Sequence, residues 1–420
     1  MAPAAHGELE AAYRNDARRV YATLIRLLGG FQAAEEGVHE AFLAAAAAWP
    51  QTGVPANPYA WLVSAGRNRV VDRWRRDARV KGACADMPAE PDWTDDPDPH
   101  AIRDDDLSLI FICCHPALSP DGRAALTLRE VCGLTTEEIA RAFLTPAPTI
   151  AQRIVRAKAK IRDLAIPYEV PGRAEWPVRL DSVLQVIYLV FNEGHTTTDG
   201  PQLIRTDLCG EAIRLGRLLN DLVDDAEALG LLALMLLHDA RRATRIDAAG
   251  DFVPLEEQDR SRWDRTLIAE AQGLIARALT HRRVGPYILQ AAIAELHAGA
   301  PGLAETDWPQ IVGLYDTLMR VAPSPVVALN RAVAIGQRDG AETGLAAVEA
   351  AMAGGGLDTY HLAFAAAAGL HHQCGRIATA IALYRQGLDL AVQSADRRFL
   401  ERRMAELLDV DRRMPDPGRH

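Results

Sequence analysis

The sequence predicts an all-α protein of more than one domain, and three observations predict it. Apolar residues recur at helical spacing along most of the 420 residues, with almost no strand-like alternation. Clusters of proline and glycine fall between these periodic stretches, where turns belong. Near the C-terminus the pattern repeats: ALNRAVAIGQRDGAETGLAA, starting at Ala328, aligns with AFAAAAGLHHQCGRIATAIA, starting at Ala363, an offset of 35 positions. The chain is longer than one ordinary domain, so two or three are expected. With 49% hydrophobic and 24% charged residues, it has apolar surface enough for packed cores.

Composition also excludes some functions. A net charge of −10 argues against a protein that coats nucleic acid over its whole surface, so a nucleic-acid site must be a local basic patch. The start, MAPAAHGELEAAYRND, lacks an apolar signal core, and no run approaches the roughly 18 apolar residues of a membrane span. Six scattered cysteines read as buried thiols in a reducing cytoplasm rather than a disulfide framework.

In chain order, residues 1–78 read as three helices, at 8–28, 33–48 and 59–76, with a Pro/Gly break at 49–58. ACADMPAEPDWTDDPDPHAIRDDD follows. It is too rich in Asp and Pro to bury a core, so 79–106 reads as an acidic linker. A second helical block occupies 107–166. The rest, 167–420, is helical apart from the loop RIDAAGDFVPLEEQDRSRWD. Its 35-residue repeat suits helix-turn-helix units of tetratricopeptide size, with Gly340 matching Gly375 between the helices of each pair.

The basic stretch GLTTEEIARAFLTPAPTIAQRIVRAKAKIR, residues 133–162, carries the first functional signal. Thr135 with Glu138 forms a capping-box pattern, and Thr145 is placed to cap the next helix, with Pro146 and Pro148 in its first turn. On that helix Ile150, Ile154, Ala157 and Ile161 form an apolar stripe. Thr149, Gln152 and Arg156 lie opposite, flanked by Arg153, Lys158, Lys160 and Arg162. Gln and Arg pair with base edges and cations meet phosphates, so this helix is built for a DNA major groove. The plain alternative is a solvated amphipathic helix.

The first block sets the context. AAEEGVHEAFLAAAAAWPQTGVPANPYAWLVSAGRNRVVDRWRR, residues 33–76, resembles region 2 of extracytoplasmic-function sigma factors, and 133–162 then resembles their region 4. His39 stands where that family usually has Gln, Gly66 where Ala is common, and Leu144 where the turn has Gly. The resemblance implies that Glu36, His39 and Glu40 bind core RNA polymerase. It places Asn68 near a flipped base of the −10 element, with Arg67, Arg69, Arg73, Arg75 and Arg76 along the strand backbone. At the −35 element, where Thr149 also belongs, Gln152, Val155 and Arg156 would face bases, with Arg153, Lys158 and Lys160 nearer phosphates. Trp61 and Trp74 could stack on bases, but core packing is the better reading.

The full chain resembles the subgroup with a large tetratricopeptide-like C-terminal extension, on FICCHPALSPDGRAALTLREVCGLTTEEIARAFL, IYLVFNEGHTTTDG and LMLLHDARRATRIDAAGDFVPLEEQDRSRWD. Cys113, Cys114 and His115 read as buried thiols and a neighbour rather than metal ligands. The segment from Phe191 to Asp199 reads as a capping loop, with Gly194 as C-cap, rather than a hydrolytic site. His238, Asp239, Arg241, Arg242 and Arg245, with the acidic residues after them, form either an ion-pair network pinning the loop or an anion or protein docking site. The expectation is a cytoplasmic, non-enzymatic sigma factor with no cofactor and no metal. Its partners are core RNA polymerase and promoter DNA, and its extension modulates activity through a protein or ligand. The alternative is a helix-turn-helix regulator that needs no polymerase.

Overall fold

The structure, a computed structural model, describes residues 3–81, 99–143, 145–172, 174–195, 206–247, 251–392 and 394–413. The chain is all-α. Among the described residues there is no strand, only an isolated bridge between Ile246 and Phe252. It divides into two compact units, Met1–Leu189 and Val190–His420.

The first unit contains α1 (Pro3–Leu28), α2 (Phe31–Thr52), α3 (Pro58–Lys81), α4 (Pro99–Cys113), α5 (Pro120–Glu130), α6 (Thr136–Ala142) and α7 (Ala147–Asp163), and the unit boundary falls within α8 (Trp176–His195). Helices α1 to α3 pack on Val20, Leu24, Ile25, Phe31, Leu62 and Val70, all buried. Two glycines set the approach of α2 to α3. A Cβ on Gly66 would lie 2.5 Å from the Gly37 carbonyl oxygen, so no larger residue fits at this crossing without moving a helix.

Several helix boundaries differ from expectation. Helix α2 runs through Pro50 to Thr52, and the Gly53 N–H closes it on the Trp49 carbonyl at 2.9 Å. Trp49 is buried, and a proline this close to the helix end removes only one hydrogen bond. Helix α4 starts at Pro99, so it takes in the last residues of the segment read as linker. The reason is Asp105, which is buried and accepts from Thr23 Oγ1 at 2.6 Å and from the Arg26 guanidinium. In composition it looked like one more solvated acid. At the other end α3 runs on to Lys81, taking in 79–81 of that segment, and the remaining residues, 82–98, lie outside the described residues.

The second unit contains α9 (Thr206–Leu222), α10 (Ala226–Asp239), α11 (Arg265–Thr280), α12 (Pro286–Gly299), α13 (Trp308–Val321), α14 (Pro325–Asp339), α15 (Ala341–Ala353), α16 (His361–Gln373), α17 (Ile377–Leu390) and α18 (Ser394–Arg413). Helix α10 is apolar all round and buried along almost its whole length, between α9, α11 and α12. Glu227 near its start reaches across to cap α12, accepting from the N–H groups of Tyr287 at 2.9 Å and Ile288 at 3.2 Å. The repeat read from sequence becomes two helical hairpins, α14 with α15 and α16 with α17. The aligned Gly340 and Gly375 both have positive φ, 97° and 75°, at the turn of each hairpin.

Candidate nucleic-acid interface

Helix α7 is anchored as its periodicity requires. Ile150, Ile154, Ala157 and Ile161 are buried against the short helices before it. The preceding helix has the expected reciprocal cap. Glu138 accepts from the Thr135 N–H at 2.7 Å, and the Glu138 N–H donates to Thr135 Oγ1 at 3.2 Å. Thr145 does not cap α7. Its hydroxyl turns back to the Phe143 carbonyl at 2.9 Å, and Pro146 takes the N-cap position. With prolines at 146 and 148, two of the helix's first donors do not exist, so little is left for a cap to satisfy. Leu144, in the turn, lies outside the described residues.

The outer face of α7 divides in two. Thr149, Gln152, Val155, Arg156 and Lys160 are exposed, and Val155 at 64% is among the most exposed large apolar residues of the chain. Neither Arg156 nor Lys160 has an ion-pair partner among the described residues. Arg153 pairs with Asp121 at 3.1 Å. Lys158 behaves differently from its neighbours. Its ammonium sits 2.9 Å from Glu130 and 2.6 Å from Glu35, and 5.2 Å from the Phe31 ring. Burial pulls the Lys158 pKa down, but Glu130 and Glu35 outweigh it and leave it raised. Glu130 is only 4% exposed and also accepts from the Tyr21 hydroxyl. Burial first, then the Glu130 charge, pushes the Tyr21 phenol far up, so it stays a donor. Lys158 thus ties α7 to α2 and α5. Sequence reasoning missed Tyr21, Glu35 and Glu130, because nothing in local spacing links residue 21 to residue 130.

On α3 the described arginines fall in two classes. Arg67 is 8% exposed, on the same stripe as Tyr59, Leu62, Val63, Gly66 and Val70. That i, i+3, i+4 placement withdraws it from the exposed row expected to follow a DNA strand. Asn68, Arg69, Arg73, Arg75 and Arg76 are exposed. Trp61 packs on the buried Trp49, with ring centroids 5.6 Å apart. Trp74 is not core: it is 37% exposed.

The acidic row of α2 faces the basic row of α3. Arg73 pairs with Glu36 at 3.3 Å and with Glu40 at 2.7 Å, and Arg69 pairs with Glu40 at 3.3 Å. His39 stands exposed between the two acids. The structure therefore brings together two residue sets that sequence reasoning assigned to different partners. It also brings Glu36, Trp74, Val155 and Lys158 to one groove, although they come from α2, α3 and α7.

Elsewhere Cys113, Cys114 and Cys132 are buried and outside any disulfide, Cys114 in contact with Thr127 Oγ1 at 3.3 Å. Gly194 is not a C-cap. It is helical and buried, and a Cβ there would meet the Cys209 backbone nitrogen at 2.8 Å, so glycine is needed for the approach of α9. Residues 196–200 of that motif lie outside the described residues.

Comparison with known proteins places these elements. Residues 12–80 match the model of sigma-70 region 2, residues 108–161 that of sigma-70 region 4, and residues 179–279 a family of unknown function, DUF6596. An uncharacterised protein of Rhizobium meliloti is 42% identical over 391 residues, covering 91% of this chain and 92% of that one. The ECF RNA polymerase sigma factor SigE of Mycolicibacterium smegmatis is 29% identical over 36% of this chain and 58% of its own length. The RNA polymerase sigma-H factor of Pseudomonas aeruginosa is 29% identical over 34% of this chain and 78% of its own. Among solved structures, yeast Tom70 aligns with 92% of this chain and 82% of its own at 11% identity, with a TM-score of 0.33. With regions 2 and 4 matched in that order ahead of a long helical extension, the chain belongs to the extracytoplasmic-function sigma factors, in the subgroup with such an extension.

Proposed function

We propose that the protein binds core RNA polymerase through Glu36, His39 and Glu40 and directs it to promoters. In this reading Asn68, Arg69, Arg73, Arg75 and Arg76 hold the −10 strand, and Thr149, Gln152, Val155 and Arg156 read the −35 element. Lys160 then meets phosphates, and Arg153 does so on leaving Asp121. The observation that carries the proposal is the outer face of α7. Gln152 and Arg156 stand exposed on a helix fixed by four buried residues, which is what direct readout of base edges requires. Sigma factors are not an enzyme family, and no catalytic role is assigned. Among the described residues no helix is long and apolar enough to cross a membrane. The proposed location is the cytoplasm, where polymerase and promoters are.

The pairs between α2 and α3 fit this function. Each is an exposed ion pair, contributing about 0–1 kcal/mol. A basic surface on the polymerase that takes up Glu36 and Glu40 would release Arg69 and Arg73 for phosphates at little cost. The extension is assigned a modulating role through a protein or ligand partner.

The test is run-off transcription by core polymerase on the promoter upstream of this gene, with wild-type protein and Glu40→Arg. Transcripts that require the protein and disappear with the variant support the proposal. No transcript, together with sequence-specific binding to duplex DNA in the absence of polymerase, would instead assign a polymerase-independent regulator.

A further inference from the structure

The second unit gathers three arginines with no ion-paired carboxylate among the described residues, although the Glu305 charge acts on one of them, Arg260. After α10 the chain makes short turns that bring Arg241 and Arg260 to the ring of Trp263, at 5.8 and 5.2 Å from its centroid. Arg245 lies in the same cluster, donating to the Nε2 of His195 and to the His195 carbonyl, the latter at 3.1 Å. Arg241 meets His238 Nδ1 at 3.0 Å, and the rings of His195 and His238 are 5.1 Å apart. Three acids of this segment are engaged elsewhere. Asp239 pairs with Arg242 at 2.8 Å, Asp251 with Arg398, and Glu257 with Arg403 at 3.5 Å. Among the described residues no carboxylate forms an ion pair with Arg241, Arg245 or Arg260.

Ordinary structural roles account for part of this cluster. Arg245 caps the C-terminal end of α8 through the His195 carbonyl. Arg260 donates to the carbonyls of His297 and Ala300, both at 2.8 Å, at the end of α12. They do not account for Arg241, which has neither a carbonyl nor a carboxylate partner among the described residues. Nor do they account for Arg260 Nη2, a buried nitrogen with no hydrogen-bond partner.

A guanidinium can only donate, so the ring nitrogens that face Arg241 and Arg245 are acceptors and both imidazoles are neutral. Burial first, then the arginines, lowers the pKa of His195 and His238 in agreement with that assignment. Each ring therefore carries its proton on the other nitrogen, as a further donor. Burial brings Arg241 and Arg245 down only to about 10, so both remain charged at neutral pH. Arg241 and Arg245 are partly exposed, whereas Arg260 is 7% exposed. The result is a cationic site, rich in donors, whose own charges repel one another.

We propose that Arg241, Arg245, Arg260, His195 and His238 form a binding site for a phosphoryl group, free or carried on a small organic molecule. Guanidinium forks fit phosphate oxygens in pairs. A phosphate monoester carries close to two negative charges near neutral pH, which matches uncompensated arginines better than a single carboxylate does. The site lies in the extension and makes it a receptor for a small anion.

The test uses the full-length protein. Inorganic phosphate and glycerol 2-phosphate are titrated separately, with sodium chloride holding ionic strength constant. Binding is read by calorimetry and by the shift in thermal unfolding. A saturable isotherm, weakened at least tenfold by Arg241→Gln and unchanged by Arg282→Gln at an exposed position, supports the site. Tighter binding of glycerol 2-phosphate assigns an organic phosphate, and equal or weaker binding assigns inorganic phosphate. If Arg241→Gln does not fold, Arg241→Lys, which keeps the charge but loses the fork, is expected to show the same loss. No saturable binding by the wild type, or binding by a folded Arg241 variant equal to wild type, overturns the proposal.

Discussion

Replacing Lys158 by Met removes a positive charge from a helix expected to bind DNA, yet its largest effect is expected without DNA. The variant keeps most of the apolar stem over Phe31 but leaves Glu130 buried without its cation. Glu130 is 4% exposed and Lys158 25% exposed. Removing one partner of a buried pair costs about 3–5 kcal/mol. Because Lys158 keeps some water contact, about 2–3 kcal/mol is the better figure here. If that loss falls on local opening, amide exchange in α5 and α7 should rise on the order of 30- to 150-fold. Hydrogen exchange read by mass spectrometry on the free full-length protein measures this directly. Glu35→Gln removes only the exposed partner and is expected to cost at most about 1 kcal/mol. The double variant Lys158→Met, Glu130→Gln leaves a neutral amide for Tyr21 to bond, so it should recover at least half of the loss. Exchange in Lys158→Met within about threefold of wild type would refute the reasoning, as would a double variant no more protected than the single. Lys158 would then be an ordinary exposed lysine.

Two further outcomes are expected. Burial, more than any neighbour, pushes the Asp106 carboxyl up from 3.8 to about 6. The fold thus favours its neutral form, and that stability is present below about pH 4 and lost as pH rises towards 6. Asp106→Asn should therefore stabilise the protein by about 1–3 kcal/mol at pH 7 and by little at pH 4, and equal urea midpoints at pH 7 would count against it. Glu227→Ala should cost about 1–2 kcal/mol by leaving the N–H groups of Tyr287 and Ile288 without their acceptor. Faster exchange confined to the start of α12 and the end of its contact with α10 would confirm the location, and unchanged exchange there would exclude the cap.

Periodic features were legible in the sequence. The buried stripe of α7 emerged residue for residue, because helical spacing alone fixes which side chains share a face. The capping box at Thr135 and Glu138 is likewise a rule over four consecutive residues. The turns of the two repeat hairpins showed as aligned glycines for a similar reason: positive φ selects glycine wherever it occurs. Where two local rules competed, the sequence misled. Thr145 looked like a cap, but Pro148 removes one of the two donors it would have served and its hydroxyl bonds the Phe143 carbonyl instead. Arg67 was grouped with its basic neighbours, although its position on the helix places it on the buried stripe.

The sequence by itself determined the helical class, the order of the two DNA-related regions and the amphipathic faces that define them, since each depends on residues a few positions apart. Only the tertiary structure decided which charges remain free. Glu36 and Glu40 neutralise Arg69 and Arg73 across two helices, Lys158 is held by carboxylates 28 and 123 positions before it, and Arg241 and Arg245 meet histidines but, among the described residues, pair with no acid. Electrostatic pairing depends on distance in space and on burial, and neither can be read from separation along the chain.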